Sequence, residues 1–413
     1  MHSWILTICL AVAAASSVIP RVRSVEWSQF GGPRRDFTVA GKGVASTWPD
    51  SGPKTLWRRA LGEGYSPVAV DRGQLFTMYQ RDDQEIVIAM DAATGRTLWE
   101  HASTAPITVN MSRAPGPRAT PLVVGDAVFT AGATGKLHCL DRRTGRVIWA
   151  HDLFNEFGGH VQDEYYASSP IAFRSTLIVP VGAAGGAVMA FDQRTGAVVW
   201  KAHDYKISYA SPILIDVDGQ TQAVVVMESE VIGLDPANGA LLWSHPHRNA
   251  TRTNVSTPVW GEGNLLFVSS AYDSVGRMLR LSRQGTVTTV QELWTSRDLR
   301  VHVGNAVRIG GTIYGSSGDF GPTSFAALDV QTGQVRWQQR GFSKASFVNA
   351  EGRFIMLNED GELLLASPTD SGLAVHARVQ VLAKTSWTPP SMADTTLYIR
   401  DRVELVALDL KGS

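Results

Sequence analysis

Short apolar strands and polar turns alternate along most of the chain, and one arrangement of them recurs. In its clearest copy an apolar strand ends at Asp91, a turn closes on Thr94-Gly95, and a strand of alternating polar and apolar residues leads to Trp99. This is the pattern of a β-hairpin. The Gly can take a positive φ, and the Asp side chain can accept hydrogen bonds from nearby backbone N–H groups.

The same phrase returns at regular intervals, with Thr-Gly or Asn-Gly and then a Trp after each Asp. The first four Asp residues are 50, 51 and 43 residues apart, at Asp91, Asp141, Asp192 and Asp235. The next, Asp329, follows after 94 residues, which leaves room for a degenerate copy at Leu279–Gly285 with Trp294. Incomplete copies lie at Leu364–Gly372 and Val406–Asp409. A period of about 40–50 residues with four strands is typical of propeller blades.

The last copy reaches the end of the chain before a Trp strand can follow. Lys54–Arg59 has the pattern of that strand without a hairpin before it, so we expect it to pair with Val403–Asp409 and close the ring. The sequence therefore predicts an all-β, eight-bladed β-propeller with no open sheet edge, over residues 54–413, after an extension at 25–53. The repeated Trp residues are predicted to pack between adjacent blades; they are Trp57, Trp99, Trp149, Trp200, Trp243, Trp294 and Trp337.

Residues 1–24 have the pattern of a signal peptide, because the apolar stretch Ile5–Ala15 is too short to span a membrane and polar sequence follows it. We expect cleavage between Ala15 and Ser24 and export to the periplasm or the extracellular space. The mature chain is expected to be a monomer without a transmembrane segment.

Composition narrows the function classes. Lys and Arg number 38 and are balanced by 38 Asp and Glu, which disfavours nucleic-acid binding. If Cys9 is removed with the signal peptide, Cys139 stands alone, so neither a disulfide nor a cysteine-based metal site is expected.

Four motifs carry a resemblance to a known family. They are the W-x-x-F-x-G-P-x-R opening at Trp27–Arg35, Gly116–Pro121, Tyr209–Pro212 and Trp387–Pro390. With the repeat, they make the chain similar to the exported bacterial propellers known as pyrroloquinoline-quinone (PQQ)-repeat or BamB-like proteins. The resemblance implies a quinoprotein-like propeller, but the family name describes a repeat and does not by itself imply a bound cofactor.

A second repeated element, a small residue followed by Pro, is predicted to start the innermost strand of a blade, where Pro is tolerated. It occurs at Ser66, Thr120, Ser169, Ser211, Thr257 and Thr388, with Pro-less versions near Gly304 and Ser346. Residues just before these starts should ring one mouth of the central channel, under the inserts 106–117 and 152–167. These candidate ligand-binding residues are Tyr65, Arg118, Tyr166, Tyr209, Asn254, His302, Asn305, Lys344 and Trp387. Their chemistry predicts a ligand with an anionic or carbonyl-rich group and a flat or sugar-like face.

Catalytic and metal-binding motifs were not found, so no catalytic residue and no metal site is predicted. His245-Pro246-His247 is expected to lie in a connecting loop after a blade Trp, and the calcium-loop-like Asp216–Gly219 is followed by Met227 where a bidentate Glu is required. Both are better explained as loop and turn sequence.

Three function classes remain. The favoured one is an exported, non-catalytic binding or scaffold module without a cofactor, whose partner is an envelope or extracellular protein, a peptide or a glycan. The alternative is a dehydrogenase using PQQ and calcium to oxidise an alcohol or sugar, with Trp387 as the floor and Arg118 as the anion clamp. Against it, the sequence lacks the adjacent Cys pair, the calcium ligand set and the haem motif that such a resemblance would imply. Hydrolysis of a sugar or ester lacks an assignable carboxylate pair or nucleophile.

Overall fold

A computed structural model describes residues 26–106, 115–160, 165–383 and 385–412. The predicted signal peptide and parts of both inserts, including Arg113, Asp163 and Glu164, lie outside the described residues. The described chain forms eight sheets, each with a four-stranded antiparallel meander. The prediction of an eight-bladed propeller is confirmed.

The strands follow one another in chain order from the inside of each blade to the outside. Blades 1 to 4 contain Ala69–Asp71, Gln74–Arg81, Gln84–Asp91 and Thr97–Thr104; Leu122–Val124, Ala127–Ala131, Lys136–Asp141 and Val147–Asp152; Ile171–Phe173, Thr176–Ala183, Gly186–Asp192 and Val198–Ala202; and Ile213–Val217, Gln220–Val226, Glu230–Leu234 and Leu241–Pro246. Blades 5 to 8 contain Val259–Gly261, Leu265–Ser269, Gly276–Gln284 and Val287–Ser296; Ala306–Ile309, Thr312–Ser317, Ser324–Asp329 and Val335–Gln339; Ser346–Ala350, Arg353–Leu357, Glu362–Thr369 and Gly372–Gln380; and Ser391–Ala393, Thr396–Arg400, Glu404–Asp409 and the N-terminal Lys54–Ala60.

The ring closes as predicted. Lys54–Ala60 pairs antiparallel with Glu404–Asp409, with Trp57 opposite Ala407, and supplies the outer strand of blade 8. A further strand, Thr38–Val39, adds in parallel to the inner edge of blade 7 beside Asn349 and Ala350. This parallel strand had no counterpart among the sequence-based expectations.

The recurrent Asp residue organises its turn through its side chain. Asp91 Oδ1 accepts hydrogen bonds from the backbone N–H of Thr94 at 2.9 Å and from its hydroxyl at 2.8 Å. Gly95 follows with a φ of 69°, a conformation that favours glycine. The residues of the turn therefore favour the hairpin through local contacts that do not depend on packing between blades.

The repeated Trp residues lie where neighbouring blades meet. The Trp149 ring covers Gly196 in the turn of the next blade, where an added Cβ would lie 2.7 Å from the ring, and its Nε1 donates to Gln193 O at 3.0 Å. Corresponding bonds of 2.8–3.2 Å join Trp57, Trp99, Trp200, Trp294 and Trp337 to carbonyls of the following blade. Trp243 instead donates to Gln222 of its own blade at 2.7 Å, because a long hairpin without the Asp turn replaces the turn in blade 5.

The Ser/Thr-Pro element joins the inner ends of the blades. The backbone N–H of Thr120 donates to Ser169 Oγ at 2.9 Å, that of Ser169 to Ser211 Oγ at 2.9 Å, and that of Ser211 to Thr257 Oγ1 at 3.3 Å. Each hydroxyl thus accepts a bond from the preceding blade, which explains the small polar residue at this position.

The N-terminal extension crosses the channel and bonds to the innermost strands of three blades. Trp27 exchanges two backbone hydrogen bonds of 2.9 Å with Val70 of blade 1. Ser28 O accepts from the Val123 N–H of blade 2 at 2.8 Å. On the far side, Phe37 O accepts from Asn349 N–H of blade 7 at 2.8 Å. The segment therefore spans the channel from blades 1 and 2 to blade 7.

No helix of the described residues is long and apolar enough to cross a membrane.

Candidate functional site

A cavity of about 170 Å³ lies in the channel at the mouth where the innermost strands begin. Its lining includes six of the predicted ligand-binding residues: Tyr65, Arg118, Tyr209, His302, Asn305 and Trp387. Phe30 and Phe37 of the N-terminal extension also line it. The extension therefore contributes part of the lining, which we call the floor of the site.

One wall is an aromatic pair from the first and last blades. Tyr65 and Trp387 stack with ring centroids 5.6 Å apart and an interplanar angle of 26°. The Trp387 Nε1 donates to Glu359 at 3.1 Å, and the ammonium of Lys344 lies 5.6 Å from the Trp387 ring centroid. The wall is therefore held on both sides before any ligand arrives.

Glu359 neutralises the predicted site residue Lys344. Its carboxylate accepts hydrogen bonds from Ser343 Oγ at 2.6 Å and Lys344 Nζ at 3.0 Å. Burial favours the neutral acid, but the bonds from Ser343, Trp387 and Lys344 outweigh it and lower the pKa of Glu359. Lys344 is thus a partner of Glu359 beside the Trp387 ring, and it does not line the cavity.

The opposite wall consists of Tyr272, His302 and Phe320. The Tyr272 hydroxyl lies 2.6 Å from His302 Nε2, and the Phe320 ring is 5.8 Å from each of the other two rings. Asp319 fixes the two loops by accepting from Tyr272 N–H at 3.1 Å and Phe320 N–H at 2.8 Å. Tyr272 and Asp273 have φ values of 55° and 60°, a costly conformation for such residues that often occurs at functional sites.

The floor is built around a buried arginine. Phe30 and Phe37 meet edge to face at 5.2 Å, and the Arg35 side chain between them in sequence is fully buried. Its guanidinium donates to Pro212 O at 2.8 Å, to Ser169 O at 3.4 Å and to Pro170 O. These acceptors directly precede the innermost strands of blades 3 and 4, so Arg35 attaches the floor to the side of the ring that the backbone of the extension does not contact.

Arg35 is charged at neutral pH without a carboxylate partner. Burial lowers its pKa to about 9, and no described Asp or Glu forms an ion pair with it. Its remaining bond runs from Nε to Gln29 Oε1 at 3.0 Å. The positive charge is therefore solvated by carbonyl and amide oxygens alone.

Three further residues of the predicted ring line the cavity; they are Arg118, Tyr209 and Asn305. Arg118 lies over the rings of Tyr65 at 5.9 Å and Tyr165 at 5.3 Å. Tyr209 is anchored by its N–H to Asn254 O at 3.0 Å. The Asn305 side chain exchanges two bonds of 2.9 Å with the backbone of Phe347, so its role includes joining blades 6 and 7.

Tyr166 and Asn254, which were also predicted to ring the mouth, lie away from the cavity. Both are fully buried and do not line the cavity. Tyr166 donates its hydroxyl to Pro180 O at 2.9 Å, and Asn254 donates to Met227 O at 2.8 Å. Both stand three positions before the Ser or Thr that begins the innermost strand. The residues two positions before that Ser or Thr do line the cavity in four blades; they are Arg118, Ala167, Tyr209 and Val255.

Four lining aromatics escaped the sequence analysis. Phe30 and Phe37 lie in a non-repeating segment, for which periodicity gives no placement. Tyr272 and Phe320 lie in the loops 270–275 and 318–323, between the second and third strands of blades 5 and 6. The length of these two loops relative to the tight hairpins elsewhere was the available signal.

The cavity does not fit a calcium-bound quinone. Calcium requires several oxygen ligands, usually with carboxylates among them, and the described lining contains no Asp or Glu. Across the described ranges, no group of three or more His, Cys, Asp and Glu could hold a metal ion.

Comparison with known proteins gives the same architecture. The chain is 22% identical over 288 residues to the outer membrane protein assembly factor BamB of Yersinia pestis, covering 67% of this chain and 70% of that protein. The crystal structure of BamB from Moraxella catarrhalis aligns with a TM-score of 0.62 at 15% identity, over 86% of this chain and all of that one. Quinohemoprotein alcohol dehydrogenase from Comamonas testosteroni aligns with a TM-score of 0.53 at 12% identity, over 94% of this chain and 81% of that one. At these identities, the two structural matches establish the fold alone.

The family model described as "Outer membrane protein assembly factor BamB" matches residues 28–118 and 83–339. These segments contain the W-x-x-F-x-G-P-x-R opening apart from its first residue, Trp27, and most of the recurrent Asp, Gly and Trp positions. The resemblance inferred from the motifs is therefore confirmed, and the chain belongs to the BamB-like family of PQQ-repeat propellers.

Proposed function

We propose that this protein is an exported, non-catalytic binding module of the bacterial cell envelope, with its ligand in the channel-mouth cavity. The family description, an outer membrane assembly factor, supports an envelope location. The signal-peptide pattern over residues 1–24 supports export. The mature protein is accordingly proposed to act in the periplasm or outside the cell.

The observation that carries this proposal is the aromatic lining of the cavity. Seven of its nineteen lining residues are Phe, Tyr or Trp, and six of these seven form the floor and the two walls. Such a site suits a flat aromatic or apolar group, which rings on several sides can contact at once. The ligand class is therefore a small molecule, or the exposed end of a larger partner, that presents one aromatic group.

The walls are arranged for binding because their side chains are held in place. Trp387 is fixed by Glu359, and Tyr272 is fixed by Asp319 through a backbone bond. A site whose groups are already ordered loses less conformational entropy when a ligand binds. The carboxylates of Glu359 and Asp319 make these contacts, and neither residue lines the cavity.

A dehydrogenase is not favoured as a second candidate. The matches to quinohemoprotein dehydrogenases concern the fold, and the described cavity does not supply carboxylates for calcium or for a catalytic base.

Titration with indole, followed by saturation-transfer NMR, tests the proposal. We expect native protein to bind indole, and a Trp387→Leu variant to lose about tenfold in affinity or more, since one stacking wall is removed. Val287→Ala is the matched control, because Val287 is 59% exposed near the tip of the blade 5 hairpin. Equal binding by all three proteins, or none by native protein, would contradict the proposal.

A further inference from the structure

We infer that the cavity prefers ligands carrying a negative charge and that the buried guanidinium of Arg35 is the source of this preference. The inference rests on the proposed binding function and specifies the class of ligand, an aromatic acid. Arg35 is then a specificity-determining residue, although its donors are directed at the protein and not into the cavity.

Three other cations near the cavity, Lys344, Arg402 and Arg400, lie beside negative charges. Lys344 is paired with Glu359 at 3.0 Å, and Arg402 is paired with Glu63 at 2.9 Å. The buried Arg400 is flanked by the negative charges of Asp401 and Glu63. These groups form local plus–minus pairs, whose field weakens rapidly with distance.

Arg35 differs because only neutral oxygens surround its charge. Carbonyl dipoles of Ser169, Pro170 and Pro212 solvate the guanidinium but leave its net charge intact. Burial lowers the pKa of Arg35 to about 9. Because this value is still above neutral pH, the guanidinium is cationic throughout the neutral range.

The position of Arg35 directs its field into the cavity. It lies between the floor residues Phe30 and Phe37 in the chain, and it bonds to the carbonyl of Pro212, whose neighbour Ser211 lines the cavity. The surroundings are protein and not bulk water, so screening is weak. No described Asp or Glu lines the cavity to oppose the field.

Two probes of nearly equal shape isolate the charge. Indole-3-acetate and indole-3-acetamide differ by a carboxylate and a carboxamide, so their affinity ratio in isothermal titration calorimetry reports the electrostatic preference. We expect the acetate to bind on the order of tenfold more tightly to the native protein, from a unit charge at about 10 Å in a medium of effective dielectric constant near 20.

Variants and salt assign the preference to Arg35. Arg35→Met should bring the ratio to about one, Arg35→Lys should retain most of it, and Arg118→Met should change it less than Arg35→Met does. Should Arg35→Met fold poorly, the native protein still provides a test. A preference from a buried charge persists in 0.5 M KCl, whereas one from exposed cations is largely lost there.

The outcomes separate the two proposals. Equal binding of both probes to native protein overturns the charge preference and leaves the binding function standing. A preference that survives in Arg35→Met, or that disappears in 0.5 M KCl, overturns the assignment to Arg35. No binding of either probe at 10 mM overturns the proposed function and the charge preference with it.

Discussion

Tyr65 and Trp387 stack 5.6 Å apart although they are 322 positions apart in the chain. They meet because the strand Lys54–Ala60 completes blade 8 and brings blade 1 beside it. The Thr388 hydroxyl donates to Tyr65 O at 3.0 Å across the same junction. One wall of the candidate site is thus assembled by the closure of the ring, so ring closure and ligand binding should depend on each other.

Phe320 should affect binding without affecting stability. Its side chain is 73% exposed, so Phe320→Ala should change the free energy of unfolding by less than about 0.5 kcal/mol. The ring lines the cavity and contacts Tyr272 and His302, so indole affinity should fall several-fold. Urea unfolding and NMR titration of the same preparation measure both quantities. A large loss of stability with unchanged affinity would show that Phe320 has a structural role.

The contact between Trp149 and Gly196 should be sensitive to a single methyl group. In Gly196→Ala, the new Cβ would lie 2.7 Å from the Trp149 ring, in addition to the cost of a φ of 75°. Gly219→Ala is the matched control, because Gly219 has a φ of 85° with no atom within 4 Å of an added Cβ. The free energy of unfolding should fall by about 1 kcal/mol in both variants because of backbone strain. In Gly196→Ala it should fall by about 1–3 kcal/mol more because of overpacking against the Trp149 ring. Equal losses in urea unfolding would show that the Trp does not constrain the turn.

Glu85 should make stability depend on pH. Its buried carboxyl accepts the Ala133 N–H at 2.9 Å, and burial raises its pKa from 4.5 to about 7. The folded state therefore binds the proton more tightly than the unfolded state. The resulting stabilisation is complete below pH 4.5 and is lost as pH rises through about 7, by at most about 1.4 kcal/mol per pH unit.

Glu85→Gln removes this titration while keeping a similar shape. We expect the variant to gain about 2 kcal/mol relative to the native protein between pH 5 and pH 7.5, measured by urea unfolding. Burial lowers the pKa values of His138 and His247 to about 4 and about 3. Below pH 6.5 these two histidines therefore lower the stability of both proteins as the pH falls, which is opposite to the effect of Glu85. The difference between the two curves therefore isolates Glu85. Parallel curves would mean that Glu85 is ionised in the fold at neutral pH.

Pyrroloquinoline quinone should show no calcium-dependent binding. The described lining contains no carboxylate that could bind calcium. Calorimetric titration with the quinone, with and without calcium, measures this directly. Calcium-dependent heat that disappears in an Arg118→Ala/Trp387→Ala variant would instead support the dehydrogenase alternative and justify assays with alcohols and sugars.

The repeated parts of the fold could be predicted because each copy carries its own turn chemistry. Asp91, Thr94 and Gly95 specify a hairpin locally, and equal spacing of such hairpins specifies blades. The closing strand was recognisable since Lys54–Arg59 shares the Trp pattern without a hairpin before it. Loss of the Asp turn in blade 5 was also visible, although the new partner of Trp243 was not.

The candidate site could be predicted only in part. Proximity to the Ser/Thr-Pro element brought Tyr65, Arg118 and Tyr209 to the cavity, but side-chain direction changes with each position. One position earlier, Tyr166 and Asn254 point into the protein. The floor lay beyond sequence reasoning, because Arg35 bonds to Pro170 and Pro212, far along the chain, from a segment with no repeat to place it.

A crystal structure with indole-3-acetate tests the central claim most directly. We predict the ring between the Tyr65–Trp387 wall and the Tyr272–Phe320 wall, with the carboxylate turned toward the floor above Arg35. A ligand bound outside the channel, or an empty cavity in crystals soaked well above the dissociation constant measured in solution, would contradict a binding function at this mouth.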